Sequence, residues 1–218
     1  MDNGKSILDW IENHEIFVHR EDVTDRTVDL VEWKPMPNAG SANFVSAKLN
    51  VVSDSKIEIV PSNGMGCFIW LFIGIGIFLL LISLSIVWLF GIDSMKEAWV
   101  VPAAGAFFVL FSLLFKKLGT RRSYCDLALG YFWQGKKDLN TLTTGEAKNQ
   151  VRLSEIAALQ MLKKEVLSSK RNYTNIELNL VLKNGKRINL LSHIDGNQIA
   201  ADAVIIASLL KLQVWFEG

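Results

Sequence analysis

From Met65 to Ile92 the chain runs for 28 residues without a charged side chain, MGCFIWLFIGIGIFLLLISLSIVWLFGI. About 20 apolar residues suffice for a helix to cross a hydrocarbon core of roughly 30 Å, so this run is long enough to span a bilayer with some tilt. A core helix of a soluble protein rarely stays uncharged for so long. Trp70 and Trp88 sit near its two ends, where amphipathic rings anchor a helix at the membrane–water boundary. Gly74, Gly76, Ser83 and Ser85 offer small surfaces against which a second helix can close, although no GxxxG pattern marks a specific dimer.

A second apolar run, Ala98 to Phe115, begins at Trp99 and ends at Lys116 and Lys117. It is slightly short for a span, but lysine stems reach along an apolar surface and keep their charge in water, which adds Leu118 to the usable length. Pro102 falls near the first turn, where its missing N–H costs little; placed deeper it would kink the helix. Ala103, Ala104, Gly105 and Ala106 make a patch suited to packing on the first helix. The stretch from residue 93 to residue 97 is too short to allow anything but a helical hairpin, so a transmembrane two-helix hairpin is expected over residues 65–118.

Orientation follows from the basic residues at the membrane ends. Lys116, Lys117, Arg121 and Arg122 crowd one side, and the turn holds only Lys96, which puts both termini in the cytoplasm. The start of the chain, MDNGKSILDWIENHEIFVHRED, is acidic and lacks the pattern of a secretory signal, in keeping with that orientation. Neither run carries an ionisable group of the kind that relays protons or gates ions, so a transporter or channel made by the hairpin alone is not expected.

The formal charge of +1 conceals an asymmetry: residues 1–66 carry a net −5 and residues 116–218 a net +7. Such halves attract one another or the membrane surface, or are ordinary solvated faces; the last is favoured. Cys67 and Cys125 are the only cysteines, and they read as small hydrophobes, with no neighbouring ligands at metal spacing. His14 and His19, beside Glu15, Glu21 and Asp22, invite a metal reading that no motif supports, and surface histidines are the simpler account.

In the polar parts, SILDWIEN (6–13) suggests a short amphipathic helix, and ANFVSAKLNVV with KIEIVPS suggests two strands turning at Ser53-Asp54-Ser55. SYCDLALGYFWQGKK reads as strand broken at Gly130. VRLSEIAALQMLKKEVLSS stays open between helix and strand: alternation allows strands, whereas propensity prefers a helix capped by Ser154. The strongest local signal is NIELNLVLKNGKRINLL, two alternating strands joined by Asn184-Gly185, the favoured hairpin dipeptide. In GNQIAADAVIIASLLKLQVW, Ile199, Ala203, Ile206 and Leu210 recur at helical spacing and predict a closing helix packed on the sheet.

The fold class expected is therefore α+β: a transmembrane two-helix hairpin joined to a small antiparallel sheet domain closed by a C-terminal helix. Its parts are a cytoplasmic N-terminal arm with a strand hairpin (1–64), the hairpin (65–118) and a cytoplasmic domain (119–218). WKPMPNAGSANFVSAKL before the hairpin, then FWQGKK, LSEIAALQ, ELNLVLKNGKRINLLSH and LQVWF, together resemble a family of uncharacterised bacterial two-helix membrane proteins. The polar part is similar to pleckstrin-homology-like domains, which implies a curved sheet capped by a C-terminal helix. The resemblance implies the bacterial inner (cytoplasmic) membrane as the location and brings no catalytic residues.

Phosphate loops, HExxH and GxSxG are absent from the sequence, so no enzyme is expected, and no cofactor or metal. His193 and Asp195 in LSHIDGNQ are better read as structural than as an acid–base pair. The expected role is a membrane-anchored scaffold or regulatory subunit that binds a protein partner, in the manner of an immunity-type protein among other options. The alternative is a peripheral sensor of anionic membrane lipid, with Lys136, Lys137, Lys183, Lys186 and Arg187 as headgroup contacts. A homo-oligomer is compatible with the helix surfaces; nucleic-acid binding is not expected, because no basic tract is present.

Overall fold

The computed structural model describes residues 15–37, 47–119, 122–135, 148–166 and 173–217. The chain divides into two compact units, one made of Met1–Val60 with Arg122–Gly218 and the other of Pro61–Arg121. The polar segments on either side of the apolar region thus belong to one folded unit. The fold is α+β, with three helices of more than one turn and two antiparallel-rich sheets among the described residues.

In the helical unit, α1 spans Asn63–Phe90 and α2 spans Val100–Gly119. At the standard rise they are about 42 Å and about 30 Å long. Between them lie a 3₁₀ turn at Ile92–Ser94 and a single α-turn at Met95–Ala98. The break at Trp99 has a local cause. A proline ring collides with the carbonyl four residues back, and for Pro102 that carbonyl belongs to Ala98, where the first turn stops. Among the described residues only α1 is by itself long and apolar enough to cross a membrane; the apolar part of α2, Val100–Lys116, is shorter.

The other unit holds ten strands among the described residues. One sheet has the order β2-β3-β4-β5-β6, with β2 at Ala47–Ser53, β3 at Lys56–Pro61, β4 at Ser123–Asp126, β5 at Tyr131–Gln134 and β6 at Lys148–Arg152. The other has the order β1-β10-β7-β8-β9, with β1 at Phe17–His19, β7 at Ile156–Val166, β8 at Tyr173–Leu182, β9 at Arg187–His193 and β10 at Val214–Phe216. Strands β7, β8 and β9 form an antiparallel meander, and β1 and β10 add to it in parallel. N-terminal strands enter both sheets: β3 pairs with β4, and β1 pairs with β10.

The segment left open between helix and strand is extended. Residues 156–166 are β7, paired to β8 on one side and β10 on the other, after a 3₁₀ turn at Leu153–Glu155. Ladder bonds on both edges outweigh the modest helix propensity of Ala, Leu, Gln and Lys, which amounts to tenths of a kcal/mol per residue. The closing helix α3, Gly196–Leu210, is shorter than its sequence pattern suggested. Lys211 adopts φ 55° and ψ 46°, which stops the helix and frees Val214–Phe216 to insert as β10 between β1 and β7.

A single core joins both sheets and α3. Leu178 and Leu180 of β8 and Ile199, Ala203 and Ile206 of α3 are essentially excluded from water, with Ile57 of β3 and Phe132 of β5 in the same cluster. Each fully buried Leu or Ile contributes about 1.5–3 kcal/mol relative to exposure, and this apolar layer fixes the strand register. The proposed amphipathic segment 6–13 lies outside the described residues.

Candidate functional site

The helical unit presents its apolar side chains outward. Trp88 is 84% exposed, and Trp70, Leu84, Phe90, Trp99, Phe107 and Leu110 are exposed as well. Apolar patches on soluble monomers rarely exceed a few hundred Å², so a helix pair clad this way demands a cover. Serine hydroxyls within the helices are satisfied by the main chain of their own helix. Ser83 Oγ donates to Leu79 O at 2.8 Å, Ser85 Oγ to Leu81 O at 3.0 Å and Ser112 Oγ to Phe108 O at 2.7 Å. Between the helices Lys96 Nζ and Asp93 Oδ1 form an exposed pair at 2.8 Å, and Lys116 and Lys117 stand at the far end of α2. Along α1, Trp70 and Trp88 are about 27 Å apart, close to a hydrocarbon thickness.

The two helices touch backbone to backbone. A Cβ built on Gly76 would lie 2.8 Å from Gly105 O and 2.7 Å from Val109 Cγ2. A Phe cluster continues the seam: Phe72 packs on Phe108 with ring centroids 5.6 Å apart, and Phe68 on Phe115 at 6.0 Å. Gly76 and Gly105 both belong to the small-residue patches named from the sequence.

Of the basic residues singled out there, Lys136 and Lys137 lie outside the described residues. Lys183 and Lys186 are exposed in the β8–β9 turn, whose Gly185 sits at φ +78° against Leu30. The main chain of this turn is tied to the preceding 3₁₀ turn by Lys183 N donating to Glu155 O at 2.9 Å, and the Asp25 carboxyl is held below its usual range by hydrogen bonds from Thr27, with a smaller contribution from Lys183. Arg187 is not at the surface. Its side chain is 6% exposed, and Nη1 donates to Lys34 O at 2.8 Å and to Gln160 Oε1 at 3.3 Å, while Nη2 donates to Glu32 Oε2 at 3.3 Å. The structure therefore brings Lys183 and Lys186 together and assigns Arg187 to internal structure.

Arg187 belongs to a group that sequence reasoning missed. On the face of β7–β8–β9 that carries Gln160, Glu177, Asn179 and Arg187, the first three are fully buried. A strap at residues 32–36 crosses this face. Glu177 Oε2 accepts from Met36 N at 3.0 Å, Lys164 Nζ donates to Met36 O at 3.4 Å, and Gln160 Nε2 donates to Glu32 O at 3.3 Å. Alternation marked these residues as polar, and polar positions in a hairpin normally face water. The available signal was Trp-Lys-Pro-Met-Pro, because residues before proline favour extended backbone.

Elsewhere, Asp195 caps α3 by accepting from Gln198 N at 3.1 Å, which gives that residue a structural task. Cys125 is buried, and desolvation reinforced by Asp126 pushes its thiol up to about 12. Asp202 is buried one turn into α3 and its pKa is raised, first by burial and then by Asp195, against a hydrogen bond from Gln198. Among the described residues no group of three His, Cys, Asp or Glu is placed to hold a metal. The apolar cavity bounded by Ile57, Cys125, Phe132 and Ile206 is about 10 Å³, room for at most one water. No family model, no curated protein and no solved structure matches this chain.

Proposed function

We propose that this protein is a membrane-anchored scaffold or regulatory subunit, held by a two-span helical hairpin, that binds a protein partner. It is a non-enzymatic role at the bacterial inner membrane, with both ends of the hairpin facing the cytoplasm.

One observation carries the two-span reading. Strand β3 leads into α1 and β4 follows α2, and these strands are direct neighbours, with Ile57 opposite Cys125 and Ile59 opposite Ser123. The helical hairpin stands where a β-turn would join them. If α1 alone crossed the bilayer, residues 47–61 and 122–217 would lie on opposite sides and could not pair. The chain must return, and α2 is the segment available for it. Its apolar part is about 24 Å long, which the snorkelling Lys116 and modest bilayer thinning accommodate.

A protein partner suits the polar unit better than an anionic headgroup. The β8–β9 turn sets Lys183 within electrostatic reach of the Asp25 carboxyl, and Arg187 is committed internally. On the other sheet, Val51 and Val52 of edge strand β2 and Leu127 and Leu129 of the β4–β5 turn are exposed. The β2–β3 and β4–β5 turns are joined by Leu127 N donating to Ser55 O at 2.8 Å. A strand edge and an apolar tip are ordinary means of protein recognition.

The test is purification from the native host in mild detergent with quantitative mass spectrometry. A near-stoichiometric protein that survives moderate salt supports the scaffold. Isolation alone, with anionic lipid retained, shifts the assignment to a lipid sensor. Topology is tested separately: cysteines placed at Lys96 and Ser53 should differ in labelling by an impermeant thiol reagent on intact cells, the first reacting and the second not.

A further inference from the structure

Five hydrogen bonds tie the strap at residues 32–36 to β7–β9, and four of them end on strap main-chain atoms: Met36 N, Met36 O, Lys34 O and Glu32 O. The fifth, from Arg187 to the Glu32 side chain, involves a carboxylate that is 68% exposed. A face that holds its cover by main-chain atoms selects an extended conformation and is indifferent to most of the side chains.

Three of the four anchoring side chains are charged, and the fourth is Gln160. Glu177 is fully buried, and the Lys164 and Arg187 side chains are 19% and 6% exposed. Lifting the strap rehydrates these three groups, and buried ion pairs add little net stability because desolvation offsets their attraction. The strap is not uniform, however. At its start, Val31 sits in a small apolar cluster with Ala158, Val181 and Trp215, and Trp33 packs beside it. Its far end, Lys34 to Met36, is held by the polar bonds named above. The strap thus has an apolar anchor at residues 31–33 and a stretch at 34–36 held by polar bonds.

We infer that the outer face of β7–β8–β9 is a groove that reads the main chain of an extended peptide, that residues 34–36 occupy it in cis, and that an extended segment of a protein partner takes their place. The inference rests on the partner-binding reading and names the surface used. The partner segment needs a free amide at the position of Met36, facing Glu177, and carbonyls that meet Arg187 and Lys164.

Met36→Pro removes the amide that Glu177 accepts from, and so weakens the strap without touching the groove. The full-length M36P protein in mild detergent is titrated with a fluorescent peptide of residues 31–37, VEWKPMP, and anisotropy is read. Binding should be saturable and at least about tenfold tighter than to the unsubstituted protein, the effect of one charge-assisted hydrogen bond. Adding Glu177→Gln should reduce it about tenfold, and a peptide with Pro in place of Met should bind no better than that. Equal affinity for M36P and the unsubstituted protein, with Cys125 still protected from thiol reagents, overturns the groove. Should M36P unfold, hydrogen exchange on the unsubstituted protein decides: the Met36 amide must exchange at least about tenfold faster than the β8 amides, as expected of a locally opening segment. Equal protection overturns the inference. Failure of either arm leaves co-purification of a partner untouched, so the scaffold reading stands or falls separately.

Discussion

Gly76 and Gly105 face one another across the helical hairpin so closely that a Cβ on either would fall within 3.0 Å of the other's carbonyl oxygen, at 2.8 Å and 2.9 Å respectively. Backbone cannot move aside as a flexible side chain can. Gly76→Leu or Gly105→Leu should therefore push the helices apart, at a cost of about 1–3 kcal/mol as for an overpacked core. Gly74→Leu is the control, because nothing lies within 4 Å of a Cβ there. A cysteine pair replacing Phe72 and Phe108 reports the outcome. Crosslinking should persist with the Gly74 variant and fall with the other two.

Leu178 is fully buried between the sheet and α3, so Leu178→Ala leaves a cavity and should destabilise the polar unit by about 2–5 kcal/mol. Denaturant titration of the detergent-solubilised protein measures it. Val51→Thr, at an exposed position on β2, should stay within about 0.5 kcal/mol.

The two ends of one ion pair should behave differently. Arg187→Ala removes a buried guanidinium and strands Lys34 O and Gln160 Oε1, at a cost of about 1–3 kcal/mol for each acceptor left without a donor. Glu32→Ala removes an exposed carboxylate, so the loss should be below about 1 kcal/mol. Equal effects from the two substitutions would mean that the pair, and not the strap main chain, holds Arg187.

Asp202 is an acid whose pKa rises on folding, chiefly from burial. The folded state then holds this proton more tightly than the unfolded chain does. Stability is lost as pH climbs from the ordinary value of 3.8 to the folded value, where the buried carboxyl ionises. Asp202→Asn keeps an acceptor for Gln198 and cannot ionise. The stability of the variant relative to the original should increase with pH through that window and level off above it. Thermal unfolding at a series of pH values reads the slope, and a difference independent of pH would remove Asp202 from the account.

With its thiol at about 12, Cys125 should resist maleimide at pH 8, where roughly one molecule in ten thousand carries the thiolate. Unfolding the protein should make it react. Mass spectrometry of the tryptic peptide distinguishes the two states, and rapid labelling of native protein would show that this part of the core opens readily.

What was legible in the sequence is what short-range pattern encodes. An uncharged run of 28 residues dictates a long apolar helix, because no soluble surface could be made from it. Asn184-Gly185 dictates the β8–β9 hairpin, since Gly185 supplies the positive φ that the turn requires. Tertiary structure decided matters in which two distant segments compete for the same backbone or face. Residues 156–166 carry helix-forming side chains and became a strand because β8 and β10 satisfied both of its edges. Val214–Phe216 left the helical pattern to pair with β1, about 200 residues away in sequence. Glu177 and Gln160 look solvent-facing by alternation, yet a strap some 130 residues earlier covers them. Alternation tells which residues share a face of a sheet. It carries no information about whether that face meets water, a side chain or another stretch of main chain, because the answer depends on where the rest of the chain is placed.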